Sequence, residues 1–267
     1  TLSLHDALPI SIGRLRAVEL LAFDDALGDV AALVGQVEIE TVGAVGGDQA
    51  EGLAKRFAGE DKVIVASNGL PGQPILRWYR KWTPPEGGKK PELVGDIYDK
   101  LLAIVQKSIR GQKLESVTLI WMQGEEDARL GFGSRYEESF LGLLEQFKAD
   151  LGLQKINFVL GRINDYWLPG GGIVDGDLMR ALQVKMAESR DEGAWINTDD
   201  LNTGVNPWGT YEIDGGHFPN CGYVVMGQRF ARQACKLVAP ALKPDAALFA
   251  EVFPDDARKA KSHLALE

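Results

Sequence analysis

Histidine, cysteine and long apolar runs are all scarce in this chain of 267 residues, and each scarcity closes off a class of function. The histidines are His5, His217 and His263, and the cysteines are Cys221 and Cys235. No Cys-x-x-Cys or His-x-x-x-His spacing occurs, so the sequence offers no zinc-ligand pattern. The residues between the two thiols read as one continuous helix, which would hold their Cα atoms about 21 Å apart. A disulfide needs roughly 4.4 to 6.8 Å, so these two should not pair with each other. No apolar run approaches the roughly 20 residues that span a bilayer. The first residues also lack the charged start and apolar core of a secretory signal, which leaves the compartment unread. Basic residues are outnumbered, 29 against 38 acidic, for a net charge of -9. That balance argues against nucleic acid or an anionic membrane as partner, since both reward clustered Lys and Arg.

What is present is enough apolar content, 45%, to bury one sizeable core. Thr1 to Arg14 shows neither strand alternation nor a helical face and resembles translated adapter sequence, so the expectation is a foreign or disordered stub. Ala17 to Leu33 leaves helix and irregular structure open, and Gln36 to Val42 alternates as a strand. A glycine-rich turn at 43 to 47 then opens a helix to about Phe57. Short β-branched or apolar runs predict buried strands at Lys62 to Ala66, Val117 to Trp121, Ile156 to Leu160 and Ala194 to Thr198. Helical spacing predicts helices from Asp96 to about Arg110, Tyr136 to Leu151, Leu178 to Glu188 and Tyr223 to Leu237, and also groups Ile75, Trp78, Tyr79 and Trp82. Strands alternating with helices predict an α/β fold, a three-layer α/β/α sandwich with a mostly parallel sheet. Residues 15 to 238 are expected to form that domain, with 239 to 267 an appended helical tail.

Chemistry-bearing residues gather where strands meet loops, the edge at which open α/β sheets bind ligands. Trp121-Met122-Gln123-Gly124-Glu125-Glu126-Asp127 places a polar cluster after an apolar run. The Gln123 amide could donate to a developing oxyanion, and Gly124 would let a ligand approach closely. The alternative is a buried hydrogen-bond network of Gln123, Glu125 and Asp127 that holds the loop, the favoured reading for the two acids. His217, the histidine in the folded body, follows Asp214-Gly215-Gly216. A tight loop lets Asp214 accept from the imidazole Nδ1–H and support an imidazolium; a solvated surface turn is the plain alternative. Gly72, in Pro71-Gly72-Gln73-Pro74, offers a backbone N–H, or simply a turn. Trp78, Tyr79, Trp82, Tyr166, Trp167 and Trp208 fall in or beside loops where rings could stack on sugars, with Trp78 better suited to the core.

Together these blocks resemble the sialate O-acetylesterase and acetylxylan-esterase branch of the SGNH (GDSL-like) hydrolases, from about Gly43 to Ala234. The likeness rests most on Trp-x-Gln-Gly-Glu-x-Asp at 121 to 127 and on Asp-x-x-His at 214 to 217 with Gly222-Tyr223 and Gly227-Gln228-Arg229-Phe230-Ala231. Weaker support comes from Gly72-Gln73-Pro74-Ile75 with Trp78, from Gly161-Arg162-Ile163-Asn164-Asp165, and from Thr198-Asp199-Asp200-Leu201. The resemblance implies His217 as general base, Asp214 as its orienting carboxylate, Gly72 and Gln123 as oxyanion donors, an acetyl ester of a sugar or polysaccharide as substrate, and no cofactor or metal. It also implies a nucleophilic serine in Gly-Gln-Ser-Asn after the first strand, a motif this sequence does not contain. The expectation is that strand and serine lie upstream of about residue 15, with Ser67 the weaker candidate.

Two functions therefore compete, a carbohydrate esterase acting by acyl transfer and an inactive fragment or carbohydrate-binding relic. A dinucleotide site after Gly43-Ala44-Val45-Gly46-Gly47 fails on spacing and on the missing acidic residue.

Overall fold

The strand predicted to end at Trp121 anchors a six-stranded sheet, seen in a computed structural model. The structure describes residues 15–23, 40–42, 62–68, 70–89, 91–109, 114, 116–167, 173–205, 209, 211–213 and 215–238. The expected stub, the helix toward Phe57, the C-terminal tail, Trp208 and Asp214 lie outside the described residues.

The sheet contains β1 (Leu15–Phe23), β2 (Glu40–Val42), β3 (Lys62–Ser67), β4 (Ser116–Met122), β5 (Asn157–Gly161) and β6 (Gly193–Ile196). Its order is β2-β3-β1-β4-β5-β6, and every pairing is parallel. The main difference from the sequence expectation is β1, which is a strand where helix or irregular structure was left open. Its Leu-Arg-Ala-Val-Glu-Leu-Leu-Ala-Phe run has no clean period of two, because a central parallel strand has no solvent face to impose one. It pairs with β3 from Leu15 to Leu21 and with β4 from Ala17 to Phe23.

Helices α1 (Asp96–Ile109), α2 (Glu125–Leu130), α3 (Gly133–Leu151), α4 (Gly176–Glu188) and α5 (Asn220–Val238) cover the strands. Strand side chains alternate between two faces. Val117, Leu119 and Trp121 join Phe158 and Leu160 in one apolar cluster with Tyr98, Leu101, Phe140, Phe147 and Met179 from α1, α3 and α4. Ile120, Met122 and Val159 are equally buried but lie outside that cluster. They belong to the opposite face, where α5 packs on β4, β5 and β6. Gly161 is the closest approach there: a Cβ would meet the Met122 sulfur and come within 2.9 Å of Phe230 Cζ. Three layers result, as alternating strands and helices predicted.

Ile75, Trp78, Tyr79 and Trp82 do not form the expected helix. A 3₁₀ turn, Ile75–Arg77, leads into open turns instead, with Pro74 before it. Trp78 and Trp82 are nonetheless fully or almost fully buried. Trp78 meets Trp121 edge-on with centroids 5.3 Å apart, and Trp82 lies 5.1 Å from Phe132. Such pairs add about 0.5–1.5 kcal/mol beyond their buried area. Neither ring is available to a sugar, which corrects the expectation for Trp82 and fixes the core reading for Trp78.

Candidate functional site

The loop after β1 leads toward β2, whereas the loop after β4 leads toward β5. The crevice at their carboxyl ends is thus a topological switch point, the place where open sheets take ligands. Gln123 is the first residue past β4, followed by Gly124 at φ 144° as the N-cap of α2. The expected open loop after Gly124 is this short helix. Asp127 sits in its first turn, where a negative charge suits the helix dipole.

Gln123 and Asp127 are both fully buried. The Asp127 carboxylate accepts from Gln123 Nε2 at 2.5 Å and from the Ile75 backbone N–H at 2.8 Å, both through Oδ2. The second Gln123 amide proton goes to the Gln73 carbonyl at 3.2 Å. An amide facing a carboxylate and a carbonyl must present its NH₂ to them, so both Gln123 donors are committed. Its backbone carbonyl accepts from the Tyr136 hydroxyl at 2.8 Å and from Gln183 Nε2 at 2.9 Å. Trp121 Nε1 in turn donates to the Tyr136 oxygen at 3.0 Å. Burial, and then the Asp127 charge, push the Tyr136 phenol well above its ordinary value, which keeps it a neutral donor. The polar cluster after β4 therefore staples the β3 loop to the β4 loop across the end of β1. Gly124 also differs from expectation: a Cβ there would sit 2.9 Å from Gln183 Nε2 and 3.1 Å from Met179 Cγ, so α4 makes the close approach.

Gly72 occupies an exposed turn at φ 65°, and a Cβ on it would meet nothing within 4 Å. Its loop is fixed from beneath. Arg77 forks onto Asp96 at the start of α1, with 2.5 and 2.7 Å contacts, and donates to Gln73 Oε1 at 2.5 Å. The Arg77 hydrogen bond, opposed by some burial, holds the Asp96 carboxyl below its ordinary 3.8.

His217 is half-buried on the loop leading into α5. Asn164, just past β5 and 1% exposed, donates to the carbonyls of Gly215 and Gly216 at 3.3 Å each. The Gly215 N–H donates to Asn202 O at 2.9 Å, and Asn202 Nδ2 to Asp165 Oδ1 at 3.1 Å. The far side of the loop is anchored by buried Phe218 against Tyr223, centroids 5.6 Å apart. A two-stranded hairpin, β7 (Gly204–Val205) with β8 (Tyr211–Glu212), leads up to this loop.

Gly72, Gln123 and His217 thus come from loops joined by hydrogen bonds along one sheet edge. The nucleophile's candidates are placed by register. Phe23, the last residue of β1, lies beside Met122, and β1 contains no Ser, Thr or Cys. Ser67 ends β3 beside Leu21, one strand away from the crevice between β1 and β4. Tyr166 remains the one expected sugar-stacking ring seen to be well exposed, at 52%, next to Asn164. Among the described residues no group of His, Cys, Asp and Glu could hold a metal ion, and no helix is long and apolar enough to cross a membrane.

Sequence reasoning passed over Gln183 and Tyr136. Gln183 had a legible signal, since it shares the inward stripe of α4 with Met179 and Met186. A polar residue on an apolar stripe calls for a partner.

A family model described as carbohydrate esterase, sialic acid-specific acetylesterase, matches residues 43–236. None of the curated proteins matches. Among solved structures, a protein from Arabidopsis thaliana is 16% identical with a TM-score of 0.53, covering 82% of this chain and 97% of that one. A carbohydrate acetylesterase from Xanthomonas citri is 18% identical with a TM-score of 0.57; the match covers 84% of this chain and 57% of that one. NanS is 14% identical with a TM-score of 0.51, covering 73% and 71%. At these identities the structural likeness is one of fold.

Proposed function

This chain belongs to the carbohydrate esterase family of sialic acid-specific acetylesterases, hence to the carboxylic ester hydrolases, and from that premise we propose that His217 is the proton-transfer base of a site for O-acetylated sugars. The observation that carries this is the set of hydrogen bonds tying the His217 loop, through Asn164, to the edge that bears Gln123 and Gly72. In the acyl-transfer reading the imidazole takes the proton of an attacking hydroxyl as the new C–O bond forms. The acetyl carbonyl becomes an oxyanion, and the same proton then goes to the departing sugar oxygen. Asp214 is the orienting carboxylate of this reading. In this reading Gly72, exposed on a left-handed turn, is one oxyanion donor. Gln123 serves as the second donor by exchanging its 3.2 Å bond to Gln73 for the oxyanion, while its 2.5 Å bond to charged Asp127 stays. Such a donor is worth about 2.7–4 kcal/mol in the transition state. An acidic surface suits a neutral glycan, and Tyr166 offers a ring face beside the site.

The absence of any hydroxyl or thiol along β1 favours a second reading for this chain, a non-catalytic relic that retains the glycan site. One series separates the two. Release of acetate from a small acetyl ester and from an O-acetylated sugar is measured for the unmodified chain, for Ser67→Ala, and for a version carrying Asp24→Gly, Asp25→Gln, Ala26→Ser and Leu27→Asn. The expected result is near-background hydrolysis by the unmodified chain and by Ser67→Ala. The four-residue version should gain turnover and lose it again with His217→Ala. A folded but inert four-residue version retires the acyl-transfer reading. Turnover by the unmodified chain that Ser67→Ala abolishes would move the nucleophile to β3.

A further inference from the structure

Four side-chain amides near the site, those of Gln123, Gln183, Asn164 and Asn202, are each no more than 1% exposed. Gln183 is the least expected of them. It lies on the inward face of α4 between Met179 and Met186, where an apolar side chain would need no partner. Yet both ends of its amide are used. Nε2 donates to the Gln123 carbonyl and Oε1 accepts from the Ile163 N–H, each at 2.9 Å. The last backbone rung between β4 and β5 joins Trp121 to Leu160. Gln123 and Ile163 stand just beyond it, where the strands part, so the Gln183 amide bridges them as one more rung. Ile163 is held from its other side as well, since Arg180 donates to its carbonyl at 2.5 Å while forking onto Asp199. The next residue, Asn164, carries the connection onward to the carbonyls of Gly215 and Gly216, two residues and one residue before His217. Its own Oδ1 accepts from the Tyr166 N–H at 3.2 Å, which fixes which way the amide faces.

We infer that Gln183 and Asn164 are positioning residues, a buried amide relay that fixes the His217 loop relative to the strand end bearing Gln123. This rests on His217 being the base proposed above. The relay acts through the imidazole's surroundings and touches no substrate. It also explains why α4 tolerates a fully buried amide: a neutral bridge of fixed length sets spacing without placing another charge beside Asp127.

The test uses the full chain labelled with ¹⁵N, which has only His5, His217 and His263 to resolve. The variants are Gln183→Met, close in volume but without either bond, Asn164→Ala, and Asn164→Asp, which turns a carboxylate toward two carbonyls. In each, amide exchange at Gly215 should speed up about tenfold, as loss of one supporting hydrogen bond implies. The His217 imidazole resonances should move, while amides of Leu119 and Phe158 keep their protection. Asn164→Asp keeps side-chain volume, so it reads the relay even where Asn164→Ala loosens packing. Unchanged His217 imidazole resonances in folded variants overturn the inference. So does an equal loss of protection across the whole sheet, which would make these residues ordinary supports of the core. Neither readout needs turnover, so an inert four-residue version with a responsive His217 loop would retire the esterase reading and leave the relay standing.

Discussion

Replacing Asp127 separates the two jobs a buried carboxylate can do. Both of its described bonds, from Ile75 N–H and Gln123 Nε2, end on Oδ2. Asp127→Ala removes that oxygen and leaves two buried donors without an acceptor. Each orphaned donor costs about 1–3 kcal/mol, so the substitution should cost about 4 kcal/mol in all. For a chain of this size, about 2–4 °C per kcal/mol makes that a fall in Tm on the order of 10 °C. Asp127→Asn can keep one carbonyl oxygen where Oδ2 stood and so keep both bonds, now between neutral groups. That exchange should cost only about 1–2 kcal/mol, offset in part because no charge is buried. Urea unfolding followed by circular dichroism and tryptophan fluorescence reads both variants. Should Asp127→Ala lose less than about 1 kcal/mol, or Asp127→Asn lose as much as it does, the carboxylate is not the clamp between the β3 and β4 loops.

Gly124→Ala should cost about 3 kcal/mol in the same assay, because it combines φ 144° with a 2.9 Å approach to Gln183 Nε2. Gly72→Ala should cost only about 1 kcal/mol, since its φ is 65° but its surroundings are open; a loss as large as that of Gly124→Ala would show that the turn is packed. The Asp96 carboxyl is held below 3.8 first by its hydrogen bond from Arg77. Its folded value lies under its unfolded one, so the pairing is fully present above about pH 4 and is lost as pH falls through the lower folded value. Limited pepsin cleavage between 71 and 77 should rise on acidification below that point, and Asp96→Asn should show the faster cleavage already at the upper end of the window.

Strands β3, β4, β5 and β6 and helices α1, α3, α4 and α5 were legible because short apolar runs and helical stripes each carry one period. The boundaries moved by only a few residues. β1 was hidden because its run carries no polar alternation, as expected of a strand in a parallel sheet, and because Arg16 and Glu19 interrupt its apolar character. The turn after Gly72 was misread as a helix because Ile75, Trp78 and Trp82 are buried at helical spacing by an irregular path. At the proposed site, the motif blocks singled out Gln123, Asp127 and His217. What they could not show was the direction of each hydrogen bond. The sequence left the Gln123 amide as either an oxyanion donor or a member of a buried network, and its two protons go to Asp127 and Gln73. Its partner Gln183 is distant in sequence, and no local pattern links the two.

During synthesis, the strand order has a cost in time. β1 leaves the ribosome before either neighbour exists; β3 follows some forty residues behind it, and its other flank, Ser116 to Met122, about a hundred residues behind. Until then Ala17 to Phe23 presents an open hydrogen-bonding edge to whatever chain is near. Yield in the cell should therefore depend on a holding chaperone more steeply than the stability of the finished sheet would suggest.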